Sequence, residues 1–366
     1  MISYFIPDMP TTDQLIPYLR KIDDNLWYSN FGPLYEKFSL SLPERCFNGL
    51  DPERTVLVSS GTSAIELALK SLDLPIGSKV LTSCFTFPAT IEAIINVGLV
   101  PVISDVDKQN WLLTPDIAEQ FIRQHKISAV VPVAIFGMPV CSESWSNFTT
   151  TTGIPVVVDA AAALINQPIK DNIIYAFSLH ATKPLGIGEG GLVVSSSKNQ
   201  SLLIKKLSNF GFEPDRSISQ IGTNAKLSEY HCAVGLAQLD RLEGILLKRR
   251  QIFDFYLDAL KQKKLPITLQ SGIDQHIPSN LYVVCETMTA ESLSKKLLEH
   301  DIETRRLYYP LINQHPAFEN VMFAGGCVPN NAISISERGL AIPFHMNLSH
   351  EEIDVIVNSL AKILLP

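Results

Sequence analysis

A chain of 366 residues, 46% of them hydrophobic and 18% charged, has enough apolar side chains for one large core and a smaller one, which excludes a disordered polymer. Its formal net charge of -7 argues against a nucleic-acid groove or a polybasic membrane face, although a local basic patch could still hold a phosphorylated ligand. The six cysteines, Cys46, Cys84, Cys141, Cys232, Cys285 and Cys327, form no CxxC pair and no His/Cys spacing suited to zinc, so free, mostly buried thiols and no metal are expected.

The chain starts Met-Ile-Ser-Tyr-Phe-Ile-Pro-Asp, without the basic and long apolar regions of a signal peptide. The longest apolar stretches, around 127–137 and 154–165, are too short to span a bilayer, and the second carries Asp159. A cytoplasmic setting without membrane contact is therefore expected. From about residue 55 to 195, β-branched runs alternate with helical patterns. Strands are predicted over 55–58, 79–82, 100–104, 129–136, 155–158, 173–177 and 192–195, and helices over 63–72, 89–97, 115–124 and 142–151. Several of the strand runs are continuously apolar, which fits an α/β fold with a mostly parallel sheet buried on both faces. Ligands of such sheets sit at the carboxyl ends of the strands.

From Leu227 to Leu260 apolar residues recur three or four apart, predicting one or two long helices with Gly244 as a candidate bend. A polar stretch over 261–280 leads to a second region with a strand at 281–285, a helix at 290–300 and a loop around 305–316. A last helix at 350–364 is opened by the Ser349-x-x-Glu352 capping pattern. The predicted division is a large domain with an N-terminal arm over 1–244 and a small α/β domain over 245–366.

Ser60-Gly61-Thr62-Ser63 follows a strand and opens a helix, where unpaired amides suit a phosphate; a plain helix cap is the alternative. Asp159 closes a buried strand, where a carboxylate is costly unless it meets a cation such as a protonated pyridine nitrogen; a helix cap is again the bland reading. Within 177–191, Lys183 stands between a β-like run and a glycine cluster. A pocketed lysine can form an imine with an aldehyde cofactor, most commonly pyridoxal 5′-phosphate (PLP), and paired with Lys183 the carboxylate of Asp159 gains a purpose. Gly186-x-Gly188-x-x-Gly191 matches a dinucleotide fingerprint in letters only, since a strand rather than a helix follows, so an oxidoreductase is disfavoured. Phe85 and Phe87 end another strand, and one of them could cover a planar ring; core packing is the alternative. His180 could be a base or a hydrogen-bonded structural residue. Arg305, Arg306, Tyr308 and Tyr309 offer cations and rings for a phosphate or planar ligand, or a solvated charge pair.

The motifs Trp27–Pro33, Ser60–Ala64, Thr86–Thr90, Asp105-Val106-Asp107, Phe136-Gly137, Asp159-x-Ala161, Phe177–Gly191, Gly222–Glu229, Gly235–Leu239, Thr304-Arg305 and Leu348–Glu352 occur in one order. Together they resemble the PLP-dependent nucleotide-sugar aminotransferases of the DegT/StrS family, of aspartate-aminotransferase fold type I, over nearly the whole chain. The resemblance implies a seven-stranded, mostly parallel sheet between helices plus a smaller C-terminal α/β domain. It implies Lys183 as the imine-forming lysine, Asp159 as partner of the pyridine nitrogen and Phe87 as the stacking ring. Gly61, Thr62 and Ser178 would hold the phosphate. Asn224 would reach the cofactor phosphate of a neighbouring subunit, in a homodimer with shared sites. The implied amino donor is L-glutamate and the acceptor a nucleoside-diphosphate keto sugar.

By the same analogy the expected acceptor is dTDP-4-keto-6-deoxyglucose, giving a dTDP-4-amino-4,6-dideoxyhexose for surface polysaccharide. A 3-keto sugar or a UDP or GDP carrier is the alternative, and a non-catalytic sugar-sensing protein on the same fold is the alternative of another class. Trp27, Tyr28, His180, Arg305, Arg306 and Tyr308 are the candidates for contacting the substrate. Two departures from the family pattern stand out. Ala162 occupies the place of a usual Gln or His, and Pro310-Leu311-Ile312 replaces a usual Pro-Leu-His.

Overall fold

The computed structural model describes residues 1–326 and 328–365, so Cys327 lies outside the described residues. Two helices, α1 (Thr12–Asn25) and α2 (Pro33–Cys46), precede the alternating region. That region runs β1 (Thr55–Val58), α3 (Gly61–Lys70), β2 (Lys79–Ser83), α4 (Pro88–Asn96), β3 (Val100–Ser104), α5 (Pro115–His125) and β4 (Ile127–Val131). It continues with α6 (Ser142–Thr152), β5 (Val157–Asp159), β6 (Ile174–Ser178), β7 (Gly191–Val194) and α7 (Lys198–Leu207). Beyond it lie α8 (Glu229–Lys263), β8 (Ile267–Leu269), β9 (Leu281–Cys285), α9 (Ala290–Leu298), β10 (Met322–Phe323), α10 (Asn330–Arg338), β11 (Gly339–Ile342) and α11 (His350–Leu364).

Val- and Ile-rich β1, β6 and β7 are buried at every position, as strands covered on both faces must be. Helix starts are set by hydroxyls: Ser60, Thr114, Ser197, Ser228, Thr289 and Ser349 each accept a hydrogen bond from the N–H three residues on. The expected Ser349–Glu352 capping box is present in full.

The strands pair in the order β1-β7-β6-β5 and β10-β3-β2-β4. Bridges between Val130 and Val156 and between Val133 and Asp159 join β4 to β5, so the two halves form one continuous surface. β2 runs parallel to β3 and β4, and β5 to β6, whereas β7 is antiparallel to both of its neighbours. A separate antiparallel sheet, β11-β9-β8, packs with α9, α11 and the C-terminal half of α8 around Phe253, Tyr256, Val283, Leu293 and Leu360.

Two expectations are corrected here. The strand predicted over 129–136 ends at Val131, because Pro132 cannot donate to the ladder and the chain then bends to Phe136 at φ 55. No break occurs at Gly244, since α8 is one helix of 35 residues. The segment between β9 and β11 returns to the first core: Leu311, Ile312, Phe318 and Ala332 pack there, and β10 pairs with β3. Cys84, Cys232 and Cys285 are buried, Cys46 is half-buried and Cys141 exposed, all as free thiols. Among the described residues no helix is long and apolar enough to cross a membrane, and no group of three or more His, Cys, Asp or Glu could hold a metal ion.

Candidate active site

Sheet register builds the first part of the site. Gly191, at the start of β7, lies opposite Val58 at the end of β1 and Ser178 at the end of β6. The turn into α3 therefore crosses directly over it: a Cβ on Gly191 would lie 2.2 Å from the carbonyl oxygen of Ser60. A Cβ on Gly61 would lie 2.8 Å from the Cβ of Ser178, so glycine is needed for this approach. Ser60 is the cap of α3, its Oγ accepting from Ser63 N at 3.0 Å. The cap and the cradle are compatible, because Ser60 takes the Ser63 amide, while Gly61 and Thr62 open the helix, where amides have no acceptor within it and the dipole is positive. Ser178 Oγ accepts from His180 N at 3.2 Å, which leaves its own proton free to donate.

The second part is the pair Asp159 and Lys183. Asp159 N donates to Pro132 O at 2.9 Å and Asp159 O accepts from Ala134 N at 2.8 Å, fixing the end of β5 against the segment after β4. Its buried carboxylate accepts from Thr90 Oγ1 at 2.7 Å and from Ala161 N at 3.1 Å. No helix starts there; residues 160–163 form a turn, so the side chain closes a local turn rather than capping a helix. Burial pushes the Asp159 carboxyl above the usual carboxylate range, against the pull of Thr90, the Ala161 amide and Lys183. Burial likewise lowers the Lys183 ammonium, and Asp159 opposes that shift. Each charge is thus costly alone and partly relieved by the other.

The loop that carries Lys183 is held by its own backbone. Leu179 N donates to Gly190 O, Ala181 N to Gly188 O, Lys183 N to His180 O and Ile187 N to Leu179 O, each at 2.8 Å. Buried Gln238 on α8 clamps it from outside, its Nε2 donating to Gly186 O at 2.8 Å. A Cβ on Gly186 would lie 2.7 Å from Ala181 O, so the glycines serve close backbone approach and β7 follows them directly. The dinucleotide reading of these glycines has no structural support.

The remaining candidates divide in two. Phe87, the residue before α4, is 62% exposed at the same end of the sheet, with its ring free to cover a ligand. Tyr308 packs edge-on to Phe85 at 5.3 Å and stacks on Phe136 at 5.1 Å. Its phenol is pushed up by burial and then by the charge of Asp159. The others stand apart. His180 shares a hydrogen bond with Thr182 Oγ1 at 2.9 Å and faces Glu189 at 3.6 Å, the structural alternative for this residue. Asn224 is exposed and accepts from Lys226 Nζ at 2.7 Å. Arg305 lies over the Tyr4 ring at 5.5 Å and Arg306 over Tyr309 at 3.2 Å. Trp27 and Tyr28 are exposed, Tyr28 stacking on Tyr230 at 6.3 Å.

Thr90, Gln238 and Glu229 had no role assigned from sequence. Glu229 is buried and its carboxylate accepts from Leu34 N and Tyr35 N, each at 2.8 Å, capping α2 from the start of α8. A small planar aldehyde with a phosphate and a ring nitrogen would require an anion cradle, an amine, a buried carboxylate and a free ring face. Gly61–Thr62 with Ser178, Lys183, Asp159 and Phe87 match those needs.

Comparison with known proteins points the same way. The model of the DegT/DnrJ/EryC1/StrS aminotransferase family matches residues 11–361. A dTDP-4-amino-4,6-dideoxy-D-glucose transaminase of Shigella dysenteriae is 30% identical, over 98% of this chain and 97% of the relative. A GDP-perosamine synthase of Vibrio cholerae is 24% identical over 98% of both chains. Among solved structures, a Bacillus cereus protein assigned as a PLP-dependent aminotransferase superposes with a TM-score of 0.91 at 27% identity, covering 98% of this chain and 99% of that one.

Proposed function

Since this chain belongs to the DegT/DnrJ/EryC1/StrS aminotransferase family and is a PLP-dependent sugar aminotransferase, we propose that it moves an amino group from L-glutamate to a dTDP-linked 4-keto-6-deoxyhexose. The observation that carries the reading is the buried Asp159 whose charge is felt by the half-buried Lys183, on a sheet whose Ser178 packs against the Gly61 start of α3. Bound PLP supplies an aldehyde that takes up the amino group and a ring that accepts electrons. The amine of Lys183 would hold the cofactor and, when free, would take up and return the proton at the α-carbon of the donor. Its lowered proton affinity keeps a neutral fraction available for that task. Asp159 keeps the ring nitrogen protonated, Phe87 covers one ring face, and Gly61, Thr62 and Ser178 bind the phosphate.

Asn224 is exposed on the segment before α8 and would complete the site of a second copy in a homodimer, a reading its exposure supports. Trp27, Tyr28, Arg305, Arg306 and Tyr308 would read the nucleotide and the sugar. The Shigella relative supports a dTDP sugar aminated at C4, for use in a surface polysaccharide. The Vibrio relative favours a second reading with a GDP carrier. The test incubates the protein with PLP, glutamate and a panel of dTDP-, UDP- and GDP-linked 3- and 4-keto sugars, and identifies the aminated carbon in the product. Transfer to the dTDP 4-keto sugar is expected. Preference for the GDP sugar selects the second reading, and no transfer to any acceptor overturns both.

A further inference from the structure

Asp159 does not meet the cofactor site alone. Thr90 Oγ1 lies 2.7 Å from its Oδ2, and Thr86 Oγ1 lies 2.8 Å from Thr90 Oγ1. Both threonines are buried, Thr90 at 0% exposure and Thr86 at 2%. An ionised carboxylate can only accept, so Thr90 must spend its single proton on Oδ2. Its hydroxyl oxygen is then left to accept, and Thr86 is the donor beside it. The chain of protons therefore runs from Thr86 through Thr90 to Asp159 whenever Asp159 is charged. The turn that sets this pair also sets Phe87, which lies between them in sequence and whose carbonyl accepts from Thr90 N at 3.2 Å.

Resting on the assignment of Asp159 to the ring nitrogen, we propose that Thr90, backed by Thr86, is a positioning residue that keeps the Asp159 carboxylate charged and aimed at the pyridine nitrogen of bound PLP. Burial favours the neutral acid, and the Thr90 hydroxyl is the foremost influence against it. The Ala161 amide and Lys183 oppose it less, and the charge of Asp159 is also felt at the Tyr308 phenol, in the loop before β10. If the Thr90 proton is removed, the shared proton shifts from the ring nitrogen toward the carboxylate, and the ring loses the positive charge that makes it accept electrons.

The test uses the holoenzyme loaded with PLP labelled with 15N in the ring, together with Thr90→Val, Thr90→Ser, Thr86→Val and Asp159→Asn. In Thr90→Val the 15N resonance is expected to move toward that of an unprotonated pyridine, and PLP to bind roughly tenfold more weakly. The acid limb of the glutamate half-reaction should rise by about one pH unit, because the carboxylate now takes up a proton more readily. Thr90→Ser should restore all three readouts, and Thr86→Val should move them the same way but less. A wild-type resonance and acid limb in Thr90→Val, with both altered in Asp159→Asn, would overturn the relay while leaving the assignment of Asp159 intact. A wild-type resonance in Asp159→Asn would overturn the assignment itself. If Thr90→Val does not fold, Thr86→Val decides, and an unshifted resonance there counts against the relay.

Discussion

Asp159 and Ser178 at strand ends and Thr90 in the first turn of α4 are buried, and each side chain has a partner among its neighbours. Trp27, Tyr28, Asn224 and Arg305 stand exposed on connecting segments, and their side chains meet Ser29, Tyr230, Lys226 and Tyr4. Strand register fixes the first group: moving Ser178 or Gly191 by one residue would turn it to the other face of the sheet. In the second group Arg305 and Asn224 are held only by isolated bridges, to Ala341 and Asn209, and Trp27 and Tyr28 lie outside any strand. The cofactor end should therefore fail as a unit when touched, whereas the exposed end should change one substrate property at a time.

The largest effect is expected at Lys183. Lys183→Ala should abolish both the yellow absorbance of the PLP-loaded protein and turnover with glutamate, measured by spectrum and product assay; retention of both would remove the lysine from the chemistry. Asp159→Asn should fold and slow the glutamate half-reaction by about 10²–10³-fold in single-turnover kinetics. It should also change the pH dependence of stability in the cofactor-free protein. Burial raises the folded-state pKa of Asp159 above the unfolded value of about 3.9, so wild type loses stability as pH rises from there through the folded-state value. The asparagine variant lacks this loss. The difference in melting temperature should therefore shift in its favour as pH climbs across that window, and a difference flat with pH would mean that the carboxylate is solvated. Gly61→Ala, whose new methyl group would press on Ser178, should weaken PLP binding by roughly ten- to a hundredfold in a titration of the cofactor-free protein.

The same contrast explains what could be read in the sequence. The strand ends carrying Asp159 and Ser178, and the glycines after Lys183, were legible because a buried carboxylate and clustered glycines are rare without a cause. Thr90 was not, since a threonine in the first turn of a helix looks the same whether it faces solvent or a carboxylate across the sheet. Gly244 suggested a bend because glycine costs about 1 kcal/mol within a helix, yet Leu242 and Ile245 are buried on either side and their packing outweighs it. The return of residues 311–332 to the first core was hidden for another reason. Asp105 accepts from the backbone amides of Asn331 and Ala332, a tie between segments more than two hundred residues apart that no local pattern records.

The exposed end gives the smallest expected effect and the sharpest check on the contrast. Tyr28 owes its backbone position to a buried residue: Glu229 N donates to Tyr28 O at 3.0 Å, while the Glu229 carboxylate caps α2 a few residues on. Its ring contributes nothing to that anchor and lies open beside Tyr230. Tyr28→Ala should therefore leave the segment in place and remove only a ring face available to a base or sugar. The expected result is a rise of about two- to tenfold in KM for the nucleotide-linked sugar, the range of one lost aromatic contact. KM for glutamate, kcat and the affinity for PLP should keep their wild-type values. A variant that instead lost PLP would show that this segment belongs to the cofactor end, and the division between a fixed half and a replaceable half would fail.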